Sequence, residues 1–187
     1  MIPSSLSRLE LPPGDLRAIT LHWTAGDYTR TFDAYHFCVR GADEPELCVT
    51  RDVRENMRDV RIAPELPYAA HAAGRNAHNV GIAACAMAHA SPADFGAFPI
   101  TGAQVEVMCA LAARLAVRYE IPLAAIRTHA ELAIEDGYFG SDADDLRWDV
   151  ARLHASSEPV DPAEASATAE RLRARIGALM RNERLRG

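Results

Sequence analysis

Two of the seven histidines share a setting: His22 in "LHWTAG" and His129 in "IRTHAEL" each follow a run containing Ile or Leu. A neutral imidazole is a good metal ligand, and it is also an ordinary hydrogen-bonding side chain at a strand end. A catalytic zinc site needs three protein ligands and an open position for water, with His, Asp or Glu completing the set. Two histidines therefore ask for a third ligand close by. Downstream of His129 the carboxylates are Glu131, Glu135, Asp136, Asp142, Asp144, Asp145 and Asp149. Residue type alone does not choose among them, and the acidic run "DADD" also reads as a solvated turn.

The elements that would position such a site follow from patterning. β-branched and apolar residues cluster between turn residues at 17–23, 35–40, 46–50 and 79–86, which predicts strands there. Gly41, Pro45, Pro64 and Pro67 mark the intervening stretches as loops. From 101 to 120, a Thr-x-x-Gln capping pattern precedes Val105, Met108, Leu111, Ala112, Leu115 and Ala116 at helical spacing, and Pro122 is expected to end that helix. A second helix is predicted from Pro162 to about Arg181, with Asp161 as N-cap and Leu172, Ile176, Leu179 and Met180 forming a stripe that docks on the domain. Strands interspersed with helices give an α/β fold class: a single domain with a central mixed β-sheet flanked by helices. The expected division is an irregular segment at 1–16, a catalytic domain at 17–155 and an amphipathic helix within 160–187.

Four motifs, "LHWTAG", "AYHFCV", "AAHAAGRNAHNVGIA" and "RTHAEL…RWD", stand in this order between about residues 17 and 153. Together they resemble the zinc-dependent N-acetylmuramoyl-L-alanine amidases, or amidase type 2, a family that includes phage lysozyme-type amidases and peptidoglycan recognition proteins. The resemblance implies a Zn2+ ion held by His22, by His129 and by a closing Cys or Asp two positions after a basic residue. Arg147, Trp148 and Asp149 supply that arrangement and select Asp149. The loop from His129 is longer than usual and no Pro-Gly follows the aspartate, so Asp142, Asp144 and Asp145 remain alternatives. The family places a catalytic tyrosine in a Tyr-His-Phe sequence or a glutamate in the fourth strand. Tyr35, His36 and Phe37 match the first, and "VGIAACAMA" contains no glutamate. Arg147 stands where relatives often carry lysine. By the same resemblance His71 lines the substrate groove, the alternative being a satisfied surface histidine. Asn76 and Asn79 either bind polar groups of glycan or peptide or are turn residues, and Glu131 supports a zinc histidine from behind or is an ordinary surface carboxylate. His36, His78, His89 and His154 are assigned structural roles.

The implied activity is hydrolysis of the amide between N-acetylmuramic acid and L-alanine, with peptidoglycan or a muropeptide as substrate. A module that recognises cell wall without cutting it is the alternative. Composition narrows the partners further. A net charge of −6 disfavours nucleic acid, and no apolar run approaches the ~20 residues that span a bilayer. A monomer is expected. The N-terminus lacks a basic start and an apolar h-region, which predicts synthesis in the cytoplasm without a Sec signal, as a phage-type lysin, a wall-recycling enzyme or a delivered toxin. Cys38, Cys48, Cys85 and Cys109 show no Cys-x-x-Cys spacing and read as reduced core thiols. All 20 basic residues are arginine, so any cation in the site cannot give up its proton at working pH.

Overall fold

Five short strands carry the molecule: β1 (Ala18–Trp23), β2 (Phe37–Arg40), β3 (Glu46–Val49), β4 (Asn79–Ala84) and β5 (Ile126–Thr128). The computed structural model describes Leu6 and residues 8–140 and 147–185. The strands form one mixed sheet in the order β3-β2-β4-β1-β5, parallel except where β3 returns antiparallel to β2. Among the described residues three longer α-helices complete the fold: α1 (Gly102–Arg118), α2 (His129–Glu135) and α3 (Pro162–Arg184). Among the described residues no helix is long and apolar enough to cross a membrane.

Strand alternation divides the sheet into two unlike faces. Ile19, Leu21, Trp23, Phe37, Val39, Val80 and Ile82 point to one side and join Met108, Leu111 and Leu115 of α1 in the main core. Helix α3 packs over α1 and adds Leu172, Ile176 and Met180 to the same cluster. The alternate residues, Thr20, His22, Cys38, Gly81 and Ala83, face the other way. His71 lies against Gly81, and the segment around Ala69, His71 and Ala72 that carries it is itself buried. Asn56 ties that segment down. Its amide nitrogen donates to the carbonyls of Ala69 (3.0 Å) and Asn76 (2.8 Å), and its amide oxygen accepts from Ala69 N–H (2.8 Å). Because both faces are covered, β1 and β4 read as nearly continuous apolar runs in which the polar exceptions all fall on one side.

The helices begin where their caps dictate. Thr101 Oγ1 accepts from Gln104 N–H while Gln104 Oε1 accepts from Thr101 N–H, and the Gln104 amide then reaches the carbonyls of Cys85 (2.9 Å) and Val39 (3.2 Å), pinning α1 to the sheet edge. Helix α1 ends at Arg118, before Pro122: Glu120 takes a positive φ of 56°, so the chain has already turned. Strand β5 and helix α2 have no counterpart among the predicted elements. Together they span ten residues, too short for either periodicity to register. Asp161 caps α3 as its spacing predicts, and the helix runs past Arg181 to Arg184. The cysteines are free thiols, with Cys38, Cys85 and Cys109 buried and Cys48 half-buried.

His36, just ahead of β2, is fully buried. Its Nδ1 accepts from Gly81 N–H at 3.0 Å while its Nε2 has no partner. Burial, the largest influence, pushes its pKa down to about 4. The unfolded chain therefore takes up this proton first as pH falls. The stability tied to neutral His36 is complete above pH ~6.5 and is lost between there and about pH 4. Urea denaturation of chelator-treated protein should show that loss, with His36 contributing about 3 kcal/mol. His36→Gln should flatten the slope across this window, and an unchanged slope would contradict the assignment.

Candidate metal centre

The site forms where two neighbouring parallel strands end together. In the β1–β5 ladder Leu21 lies beside Thr128, so the next residue on each strand, His22 and His129, emerges at the same edge. On β1 the strand continues through Trp23, which holds His22 in the sheet with its side chain 1% exposed. On β5 the chain turns instead into α2. Thr128 Oγ1 accepts from Glu131 N–H and Glu131 Oε2 accepts from Thr128 N–H, a capping box that makes His129 the first residue of that helix.

Asp149 arrives from a different part of the chain. Its carbonyl accepts from Ala130 N–H at 3.0 Å, which docks the loop against the start of α2. Trp148, the preceding residue, stands edge-on to Trp23 with ring centroids 4.7 Å apart, and Phe95 packs against both. Each of two metal-facing residues thus has a tryptophan beside it in sequence, and the two tryptophans hold each other.

The donor atoms converge. Asp149 Oδ2 lies 3.2 Å from His129 Nδ1 and 3.5 Å from His22 Nδ1, and the three donor atoms fall within 4.8 Å of one another. Two ligands about 2.0–2.1 Å from a tetrahedral zinc ion stand about 3.3 Å apart, so these separations fit a common ion. The outer nitrogens fit as well: His22 Nε2 meets His71 Nδ1 at 3.2 Å and His129 Nε2 meets the Tyr138 hydroxyl at 3.3 Å. Such outer contacts turn ring nitrogens toward a metal.

The electrostatics agree. Burial, above all, pushes the pKa of His22 down to about 4, outweighing the nearby Asp149 carboxylate, so the ring is a neutral donor at pH 7. Burial also pushes the Asp149 carboxyl up, but the two histidines together outweigh it and hold the group well below the usual carboxylate range. Tyr35 stacks 5.1 Å from the His22 ring and donates to the Trp23 carbonyl at 3.4 Å. Burial and then the nearby Asp149 charge push its phenol well above its ordinary pKa, so it stays protonated. The Arg147 charge opposes that push at both Tyr35 and Tyr138, which places Arg147 within electrostatic reach of the centre.

His71, Asn76 and Asn79, expected along the substrate groove, are buried and use their polar atoms inside the protein. Asn76 Oδ1 accepts from the N–H groups of His71 (3.0 Å) and Ala72 (2.9 Å). The Asn79 amide nitrogen donates to Thr20 Oγ1 (2.9 Å) and to the Arg75 carbonyl (2.8 Å). These asparagines shape the cover over the sheet. Glu131 is neither a surface group nor a partner of a ligand ring: it caps α2 and pairs with Arg173 of α3 at 2.7 Å. Asp142, Asp144 and Asp145 lie outside the described residues. Tyr138 escaped sequence reasoning, and no local pattern marks it. Trp23 and Trp148 carried a signal, since each adjoins a ligand candidate.

The N-acetylmuramoyl-L-alanine amidase family profile matches residues 12–145, ending just before Asp149, whose place in the site therefore rests on the distances above. Among solved structures, the chain is similar to the E. coli N-acetylmuramyl-L-alanine amidase AmiD, in its complex with the substrate anhydro-N-acetylmuramic acid-L-Ala-D-gamma-Glu-L-Lys. The identity is 18% and the TM-score 0.43, over 88% of this chain and 75% of that one. No curated protein sequence matches. With the profile spanning well over half of its length, the chain belongs to the N-acetylmuramoyl-L-alanine amidase family.

Proposed function

We propose that this protein is a zinc-dependent peptidoglycan amidase that hydrolyses the amide between the lactyl group of N-acetylmuramic acid and L-alanine of the stem peptide. The observation that carries the reading is the convergence of His22, His129 and Asp149 at one sheet edge in a chain of this family. A module that only recognises cell wall has no need of a complete ligand set. That favours the enzyme.

His22, His129 and Asp149 would hold the ion, leaving one tetrahedral position open. When bound, zinc would lower the pKa of a water molecule toward ~7 and polarise the scissile carbonyl. The chain's own groups supply the rest. Tyr35, kept protonated by burial, is a hydrogen-bond donor suited to the negative charge that develops on the carbonyl oxygen. Arg147 adds a fixed positive charge to the same region. A guanidinium does not release its proton at neutral pH, so the leaving amine takes its proton from another source. The substrate is a muropeptide or a longer peptidoglycan strand, and the negative net charge gives no long-range attraction to nucleic acid.

Purified peptidoglycan digested with the protein should release free stem peptides beginning at L-alanine, read by mass spectrometry. Shortened glycans or cuts within the stem would refute the assignment, and binding without release would make the protein a recognition module. The parent should carry about one zinc per chain, and His22→Ala, His129→Ala and Asp149→Ala should each lose metal and activity together. Retention of zinc by Asp149→Ala would return the third ligand to Asp142, Asp144 or Asp145.

Tyr35→Phe should bind zinc normally while turnover falls about 10²-fold, the scale for one positioned donor. An undiminished rate would leave Tyr35 a packing residue. At Arg147 the two substitutions separate charge from geometry. If a cation is all that is needed, Arg147→Lys keeps most turnover and Arg147→Ala loses on the order of 10²-fold. If the guanidinium grips a substrate carboxylate with both arms, lysine is nearly as damaging as alanine. Turnover and KM on one muropeptide, with zinc content measured in parallel, decide between them.

A further inference from the structure

We infer that His71 is a positioning residue of the metal centre: a hydrogen-bonded chain from the Asn79 carbonyl through His71 fixes which nitrogen of His22 is free to bind a cation. The inference rests on the metal-centre reading above and goes beyond it, since it assigns protons.

The chain has only one consistent arrangement. It starts at the Asn79 main-chain carbonyl, which can only accept, and which lies 3.3 Å from His71 Nε2. That nitrogen must carry the hydrogen. A neutral imidazole has a single N–H, so His71 Nδ1 is left with its lone pair. His71 Nδ1 faces His22 Nε2 at 3.2 Å, and this contact is a hydrogen bond only if His22 Nε2 carries the hydrogen. His22 Nδ1 is then a bare lone pair, and it points at Asp149 Oδ2, another lone pair, across 3.5 Å. Two such groups facing each other without a proton between them repel, and a cation between them removes the repulsion.

The surroundings hold the His71 ring where the chain needs it. Asn76 Oδ1 accepts from the His71 main-chain N–H, fixing the backbone. The ring lies flat against Gly81 of β4, where a Cβ would stand 2.6 Å from His71 Cγ. Any other residue at position 81 would displace the ring. The ring is also edge-on to that of His22, with centroids 5.2 Å apart, and to that of His36 at 5.7 Å. His71 is therefore packed on three sides, and its proton order is set by a main-chain group that cannot change.

Imidazole nitrogen NMR of the intact wild-type protein, chelator-treated and zinc-loaded, tests the proton order directly. His71 should carry its proton on Nε2 in both forms, and in the zinc-loaded form His22 should be protonated on Nε2. A proton on His71 Nδ1 would overturn the inference. If the wild type takes up no zinc, the metal-centre reading fails, while the His71 proton position still reports on the chain.

Zinc affinity, measured by chelator competition, gives the second readout. His71→Ala should weaken it by 10- to 100-fold, the range typical for loss of an outer partner of a metal ligand. Gly81→Ala should weaken it in the same direction without removing a polar group. His71→Gln, whose amide can accept at one end and donate at the other, should recover part of the loss. A folded His71→Ala variant that keeps zinc affinity within about twofold of the parent would refute the role. A purely structural His71 would lower the melting temperature without moving affinity or the His22 proton.

Discussion

Three electron-rich atoms, two imidazole nitrogens and a carboxylate oxygen, are held together at a buried sheet edge with the closest pair 3.2 Å apart. Left alone, such donors repel one another or share protons. The surrounding structure can be understood as a set of supports for this arrangement. Each ligand is delivered by a different kind of element, and each support removes a different freedom. The sheet fixes His22 by burial and ladder bonds, the capping box fixes His129 at the first turn of a helix, and main-chain bonding with aromatic packing fixes Asp149 on a loop.

The same need explains why the two faces of the sheet differ. A face packed against α1 can be filled with Ile, Leu, Val and Phe, because nothing there has to bond. The opposite face carries Thr20, His22, His36 and Asn79, so its cover must return hydrogen bonds. His71 supplies them to His22 Nε2 and to the Asn79 carbonyl, Thr20 and Asn79 bond to each other, and Asn56 and Asn76 hold the cover itself together. Burying these polar groups without partners would cost each of them on the order of 1–3 kcal/mol. The cover is thus built largely from side-chain amides and main-chain groups, with few apolar side chains.

What could be read from the sequence follows from how local each signal is. Strands β1 to β4 and helices α1 and α3 announce themselves through apolar clustering, periodicity and caps within a few residues. His22 and His129 stand out because each follows a run containing Ile or Leu. The short β5–α2 unit was missed although it holds its own capping box, since three strand residues and seven helical ones give no period to count. The placement of His71, Asn76 and Asn79 is hidden in the sequence for a different reason. Their polarity suggests solvent or substrate, and only the fold shows that they meet the distant His22 and Thr20 and main-chain groups nearby in the chain. Tyr138 meets His129 through the tertiary path of a helix and a turn, which no spacing rule encodes.

Helix α3 shows how a distant element enters the site. Near its start, Glu164 pairs with Arg152, three residues past Asp149. Arg152 is 1% exposed, and its guanidinium also donates to the carbonyls of Pro92, Ser156, Glu158 and Pro159. Further along, Arg173 pairs with Glu131, the residue that caps the helix beginning at His129. One helix therefore braces both the loop that carries Asp149 and the turn that presents His129, each through an arginine and a glutamate. Lysine could not replace Arg152, because three N–H groups on one atom do not reach carbonyls spread around a planar fork. The ligand that needs no such brace is His22, which is anchored in the middle of the sheet. The two that lie outside the strands, His129 at the start of a helix and Asp149 on a loop, are the two that α3 ties down.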